Sequence, residues 1–160
     1  MQLGRAYIAA RRPDQAVASL QAAVELNHEF DAAYLQLGDA FFQLGKPAEA
    51  LTAFRRAALL NGRRDSVQLA YALAASGQRA EAKSLLASLL SASRHAYVPP
   101  VPVARAYVAL GDADAAFMWL SRGITEHAGA MRTIKVSPAF DPLHADPRWS
   151  PLLRQMGLEP

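Results

Sequence analysis

Across residues 31–60 the apolar positions fall into two helical stripes separated by a break. Tyr34, Leu37, Phe41 and Leu44 recur at steps of three and four, which places them on one face of a first helix. Gly45-Lys46-Pro47 interrupts that pattern. Proline suits the first turn of a following helix, where a missing N–H costs nothing. Ala50, Leu51, Phe54, Ala57 and Ala58 make the second stripe. Gly38 and Ala50 allow the two backbones to approach closely, while Phe41 and Phe54 fill the space on either side.

The same frame recurs along the chain. Leu3-Gly4-x2-Tyr7 and Ala16-x3-Leu20-x2-Ala23 stand 34 positions earlier. Leu69-Ala70-x2-Leu73, Gly77 and Ala82-x3-Leu86 follow at a spacing of 32, which puts a two-residue loss in the connection around residues 61–65. Val103-Ala104-x2-Tyr107, Gly111 and Ala116-x3-Leu120 return to 34. A lone helix pair cannot bury its own apolar face, so repetition of this kind predicts stacked pairs. The expected helices cover 2–10 and 13–26, then the pair in 31–60, then a third pair within 64–90 that turns at Ser76-Gly77-Gln78, then 102–110 and 113–127. The run Val98-Pro99-Pro100-Val101-Pro102 reads as a delayed helix start with prolines in its first turn. Beyond Gly129 the frame is lost. A short helix at 131–136, a proline-punctuated single turn near Phe140 and a last helix at 147–156 are expected there, as an end piece covering the final apolar face.

Tyr34-x2-Leu37-Gly38-x2-Phe41, followed by Ala50-x3-Phe54-x2-Ala57, resembles the tetratricopeptide repeat (TPR). Tyr34 stands in the slot usually held by Trp and Phe41 in the Tyr slot; Gly62 lies near the place of the closing Pro. The resemblance implies an all-α, right-handed superhelix of four helix pairs (1–30, 31–62, 63–96, 97–128) with a helical cap at 129–160. In that frame Met1 falls at about the fifth repeat position, so the opening helix lacks its first turn and a fragment or late start is expected. Leu3, Tyr7, Val17 and Leu20 would then be partly uncovered, which favours self-association through the first repeat. Phe140-Asp141-Pro142-Leu143, Asp146-Pro147-Arg148 and Leu152-Leu153-x2-Met156-Gly157-Leu158 are similar to the closing segment of TPR regions in bacterial signalling proteins. Those include adenylate cyclases, Ser/Thr kinases and helix-turn-helix regulators, where the array follows an effector domain.

Composition narrows the function classes. At 52% apolar and 19% charged the chain reads as globular, and with no cysteine it has neither a disulfide framework nor thiolate metal ligands. The net charge of +3 is spread over both halves, so no basic tail or stripe points to nucleic acid. No signal peptide or membrane span is expected, and a cytoplasmic location follows. The Arg pairs Arg11-Arg12, Arg55-Arg56 and Arg63-Arg64 read as solvated helix ends. His28, His95, His127 and His144 lack the i, i+4 spacing of a helical metal site. Asp112-x-Asp114 opens like a calcium loop but meets Gly123 where the closing Glu would stand. No catalytic motif occurs, and no cofactor is implied.

What remains is surface. In TPR proteins the first helix of each repeat lines a concave groove, mainly through repeat positions two, five, nine, twelve and thirteen. Carried onto this chain, those positions give Arg5 and Ile8, then Leu35, Asp39, Phe42 and Gln43, then Val67, Tyr71 and Ala74, then Val101, Arg105 and Val108. Phe42 is either an exposed anchor or a packing residue against the next repeat, since Phe41 already fills the core slot. The expected function is a non-catalytic protein- or peptide-binding scaffold. The alternative is a regulatory domain of a larger bacterial signalling protein. Positions five and nine hold only Arg5 and Arg105 as carboxylate donors, with Asp39 between them. The groove therefore suits apolar side chains over Leu35, Phe42 and Val108 and a basic group on Asp39, not an acidic chaperone tail.

Overall fold

The computed structural model describes residues 2–10, 12–62, 66–92 and 97–158, without the side chains of Gln2, Leu3, Arg5 and Ala9. Arg11, Arg63, Arg64 and His95 lie outside the described residues, as does most of the connection assigned the two-residue loss. The chain forms α1 (Gln2–Ala9), α2 (Pro13–Leu26), α3 (Asp31–Gln43), α4 (Pro47–Leu60), α5 (Val67–Ala75), α6 (Arg79–Ala92), α7 (Pro100–Ala109) and α8 (Ala113–Thr125). Two 3₁₀ helices, Gly129–Val136 and Pro138–Leu143, and the short α9 (Trp149–Gln155) follow. Successive helices pair as α1 with α2, α3 with α4, α5 with α6 and α7 with α8.

Each pair closes on the same contact. A Cβ added to Gly38 would lie 2.5 Å from the Phe54 ring, and one on Gly4 would lie 2.7 Å from Leu20 Cδ2. In the third and fourth pairs the same slots hold Ala70 with Leu86 and Ala104 with Leu120, all at most 2% exposed. The facing alanines Ala16, Ala50, Ala82 and Ala116 are completely buried. Small residues at both ends of the contact bring the helix axes close, and the large one fills what remains.

The inner turns repeat as well. Gly45, Gly77 and Gly111 have φ of 67°, 83° and 73°, and the residue after each donates to a carbonyl five positions back. Lys46 N–Phe41 O is 2.9 Å, Gln78 N–Leu73 O 2.8 Å and Asp112 N–Tyr107 O 2.9 Å. This is the Schellman ending, which needs a left-handed residue. Prolines Pro13 and Pro47 open α2 and α4 in their first turns, as the pattern predicts.

Several boundaries differ from the sequence expectation for local reasons. α7 begins at Pro100, two residues early, because both Pro100 and Pro102 sit where helical N–H groups have no partner. α5 spans 9 residues against 13 in α3, and Ser66 caps it by accepting from Leu69 N at 3.1 Å. α8 stops at Thr125 because His127 turns left-handed (φ 50°) and Ala128 N bonds back to Gly123 O at 2.9 Å. The expected helix at 131–136 is a 3₁₀ segment, and α9 begins at Trp149 instead of residue 147.

The core has two parts. Ala16, Leu20, Ala33, Leu37, Ala40 and Ala53 form a small cluster around the first two pairs, and a larger one runs from Ala50 to Leu153. Phe41 packs against both and joins them. Leu20 is fully buried, so it contributes nothing to an uncovered first-repeat face; Tyr7 and Val17 stay partly exposed, and Leu3 falls outside the described side chains.

Neighbouring pairs are tied by polar braces at helix ends. Gln43 Nε2 donates to Ile8 O at 3.2 Å, and Ser76 Oγ donates to Pro47 O at 2.9 Å. Arg79 donates to Leu110 O at the C-terminal end of α7, where a cation also meets the helix dipole favourably. The third pair meets the fourth chiefly through α5 against α7.

The last 3₁₀ helices and α9 close the fourth pair with Ile134, Phe140, Leu143, Trp149 and Leu153, each at most 5% exposed. Arg148 latches this cap. Its Nη1 meets Asp114 at 2.7 Å, its Nε and Nη2 chelate Asp146 at 2.9 and 2.8 Å, and its guanidinium lies 4.3 Å over the Phe117 ring.

Two predictions follow from this packing. Gly38→Ala normally favours a helix, yet here it should cost about 1–3 kcal/mol by driving Cβ into Phe54. Adding Phe54→Leu should recover part of that loss, because Ala with Leu is the working combination in the third and fourth pairs. Urea unfolding of the two single variants and the double variant measures the coupling, and a Gly38→Ala protein as stable as the parent would refute the contact. The second concerns the latch. Hydrogen bonds from Arg148 hold the Asp146 carboxyl down at about 2. A depressed acid stabilises the fold above its unfolded value and loses that contribution as pH falls towards 2. Carboxyl NMR titration should show this low value, returning to the ordinary carboxylate range in Arg148→Gln.

Candidate functional site

The groove positions expected from the repeat frame separate into three groups. Ile8 and Gln43 are occupied with each other's helices, since the Gln43 amide is bonded to the Ile8 carbonyl. They brace α1 against α3. Val108 is 8% exposed within the larger core and offers little surface, and Leu35 is half-buried against the same core. The Arg5 side chain lies outside the described residues.

The third group comes together. Asp39 and Phe42 lie one turn apart on α3, Tyr71 on α5 and Arg105 on α7. The Phe42 ring sits 4.4 Å from that of Tyr71 and 5.8 Å from that of Phe54, so Phe42 packs on the next repeat and is not a free-standing anchor. The Arg105 guanidinium lies 4.5 Å over the Tyr71 ring. Three side chains from three successive first helices thus make one layered row. Aromatic faces attract each other in offset geometry and attract a guanidinium through the ring quadrupole.

Asp39 stands beside this row. It keeps some exposed surface, yet its carboxyl is deep enough that desolvation pushes it above the usual carboxylate range, with the Arg105 charge pulling partly back. Asp39 and Arg105 attract each other without touching: no hydrogen bond or ion pair joins them among the described residues. Arg105 Nε is buried without an acceptor, and on α3 the Gln36 Oε1 is buried without a donor. Gln36 stands one turn before Asp39 and went unmarked at the sequence level, where a mid-helix Gln carries no signal of its own. Buried polar atoms are nearly always paired; besides these two, Trp119 Nε1 on α8 is also buried without a partner among the described residues.

Other candidate chemistry resolves into structure. Asp112 caps α8 by accepting from Ala115 N at 3.0 Å, and Asp114 holds Arg148, so neither is arranged for calcium. No group of three or more His, Asp or Glu converges on a metal position among the described residues. His144 stacks 4.8 Å from Trp149 and approaches Asp141 at 3.9 Å on the surface of the cap. An open cleft of about 500 Å³ lies at the far end, lined by Gly123, His127, Met131, Arg132 and Met156 among others, away from the aromatic row.

Residues 1–66 match the family model described as Tetratricopeptide repeat. The match covers the first two helix pairs, and the all-helical structure repeats the same small-to-large contact in the two pairs that follow. The fold is an all-α TPR solenoid. Among curated proteins none matches the chain. TPR arrays generally mediate protein–protein contact and are typically non-catalytic. No described helix is long and apolar enough to cross a membrane.

One prediction concerns the energetics of this face. An acid raised in the folded state stabilises fully below its unfolded pKa and loses that contribution as pH rises through the folded value. Ionised Asp39 is therefore a burden at neutral pH. Asp39→Asn should melt higher than the parent at pH 7, with the difference shrinking towards pH 3, where the parent's carboxyl is protonated. A lower melting temperature at pH 7 would show that the carboxylate is satisfied.

Proposed function

We propose that this TPR protein is a non-catalytic binding module that takes a protein or peptide on the face formed by α3, α5 and α7. The row from Phe42 through Tyr71 to Arg105 carries the reading, because it is continuous over three repeats and flanked by buried polar atoms without partners. A scaffold needing only stability gains nothing from unmet polar groups, whereas a ligand that meets them recovers their desolvation cost. Half-buried aromatic rings and an arginine are the residue types that dominate binding energy at such surfaces.

The cap supports a second reading. The residues that resemble the closing segment of bacterial signalling proteins, Phe140, Leu143, Asp146 and Arg148, are those that seat it on the fourth pair. In that reading the array regulates an effector domain, and the upstream sequence of the encoding gene tests it.

The binding reading is tested by selecting ligands from a random-peptide phage library on the immobilised full chain. Selected peptides should bind at least tenfold more weakly to Phe42→Ala or Tyr71→Ala, with helical circular dichroism preserved. Ligands indifferent to both variants would place recognition elsewhere. An acidic chaperone-tail peptide should show no micromolar binding in calorimetry, since Val101 is 6% exposed and Arg105 is the one cationic side chain described at positions five and nine. Micromolar affinity for that tail would overturn the assigned groove chemistry.

A further inference from the structure

The face carries two opposite charges that do not neutralise each other by contact. Asp39 on α3 has no hydrogen bond or ion pair among the described residues, and Arg105 on α7 has only the Tyr71 ring. Some charges of this chain pair, Arg55 with Glu81 at 3.6 Å, Arg122 with Glu126 at 2.5 Å and Arg148 with both Asp114 and Asp146, and others such as Asp14, Glu49 and Lys83 are single but exposed. Asp39 and Arg105 are single and partly buried. Stacking on Tyr71 explains why. It pins the guanidinium plane to the ring, buries Nε and holds the charge short of Asp39.

A wholly acidic segment laid along this face would gain at Arg105 and lose at Asp39. A wholly basic one would gain at Asp39 and lose at Arg105. An apolar one would cover both charges and leave each uncompensated, the costliest outcome of the three. Only a ligand of matching polarity gains at both ends.

Resting on the binding face proposed above, we infer that its occupant is an extended segment of a partner protein with a basic side chain on Asp39 and an acidic side chain on Arg105. The polarity of the face then sets the direction in which the segment lies, α3 taking its basic end and α7 its acidic end.

The test uses the same random-peptide library on the full chain and on Asp39→Asn, Arg105→Gln and Phe42→Leu. Asp39→Asn keeps side-chain size and Arg105→Gln shortens the side chain while keeping it polar, and circular dichroism checks that both fold. Peptides selected by the parent should carry both a basic and an acidic residue. Asp39→Asn should weaken a selected peptide about tenfold, and replacing the peptide's basic residue by Ala should cost nothing further in that background. Arg105→Gln should behave likewise towards the acidic residue. Peptides that lose affinity for Phe42→Leu but are indifferent to Asp39→Asn and Arg105→Gln would overturn this inference and leave the binding face standing. Peptides indifferent to all three variants, or no selected peptides, would overturn both. A homodimer seen by sedimentation and dissolved by Asp39→Asn would name a second copy as the occupant and equally overturn it.

Discussion

Every helix pair depends on a residue with almost no side chain receiving a large apolar one from the opposite helix. Gly4 takes Leu20, Gly38 takes Phe54, Ala70 takes Leu86 and Ala104 takes Leu120. Where the small member is Gly, the space a Cβ would use is already filled; where it is Ala, the large member is the smaller Leu. The largest partner, Phe54, thus faces a Gly and not an Ala, as close packing demands. The interaxial distance set here fixes where every other side chain on the first helices comes to rest.

That regular spacing lets side chains of different repeats meet. Phe42, Tyr71 and Arg105 stack because α3, α5 and α7 present equivalent faces at successive steps. The polar braces act on the same spacing from the helix ends, through Gln43 to Ile8, Ser76 to Pro47 and Arg79 to Leu110. Each joins a side chain to a backbone carbonyl of the neighbouring repeat, so each resists sliding between pairs without requiring a complementary side chain there. Arg148 does the equivalent work for the cap.

Polar groups are treated differently at the ends and on the face. At the ends, carboxylates and guanidinium groups are paired in water, where such pairs add little stability and chiefly orient the elements. On the face, Asp39, Gln36 and Arg105 are partly desolvated and left incomplete. Stability alone would remove them. Their presence next to an aromatic row ties the energetic weak point of the array to its proposed use.

The sequence by itself determined the helices, their pairing and the recurrent contact, because these rest on local periodicity, proline at first turns and glycine at left-handed positions. Pro13, Pro47, Gly45, Gly77 and Gly111 each act within a few residues of their own place in the chain. Position in the repeat also marked Asp39, Phe42, Tyr71 and Arg105 as belonging to one surface. Only the tertiary structure decided that Phe42 leans on Tyr71, that Gln43 is spent on Ile8 and that Val108 sinks into the core. It alone showed that Arg105 stacks instead of pairing with Asp39, and that Gln36 is buried unmet. Those outcomes turn on a side chain of one repeat reaching a neighbour more than twenty residues away, and repeat position does not encode which of several reachable partners it takes.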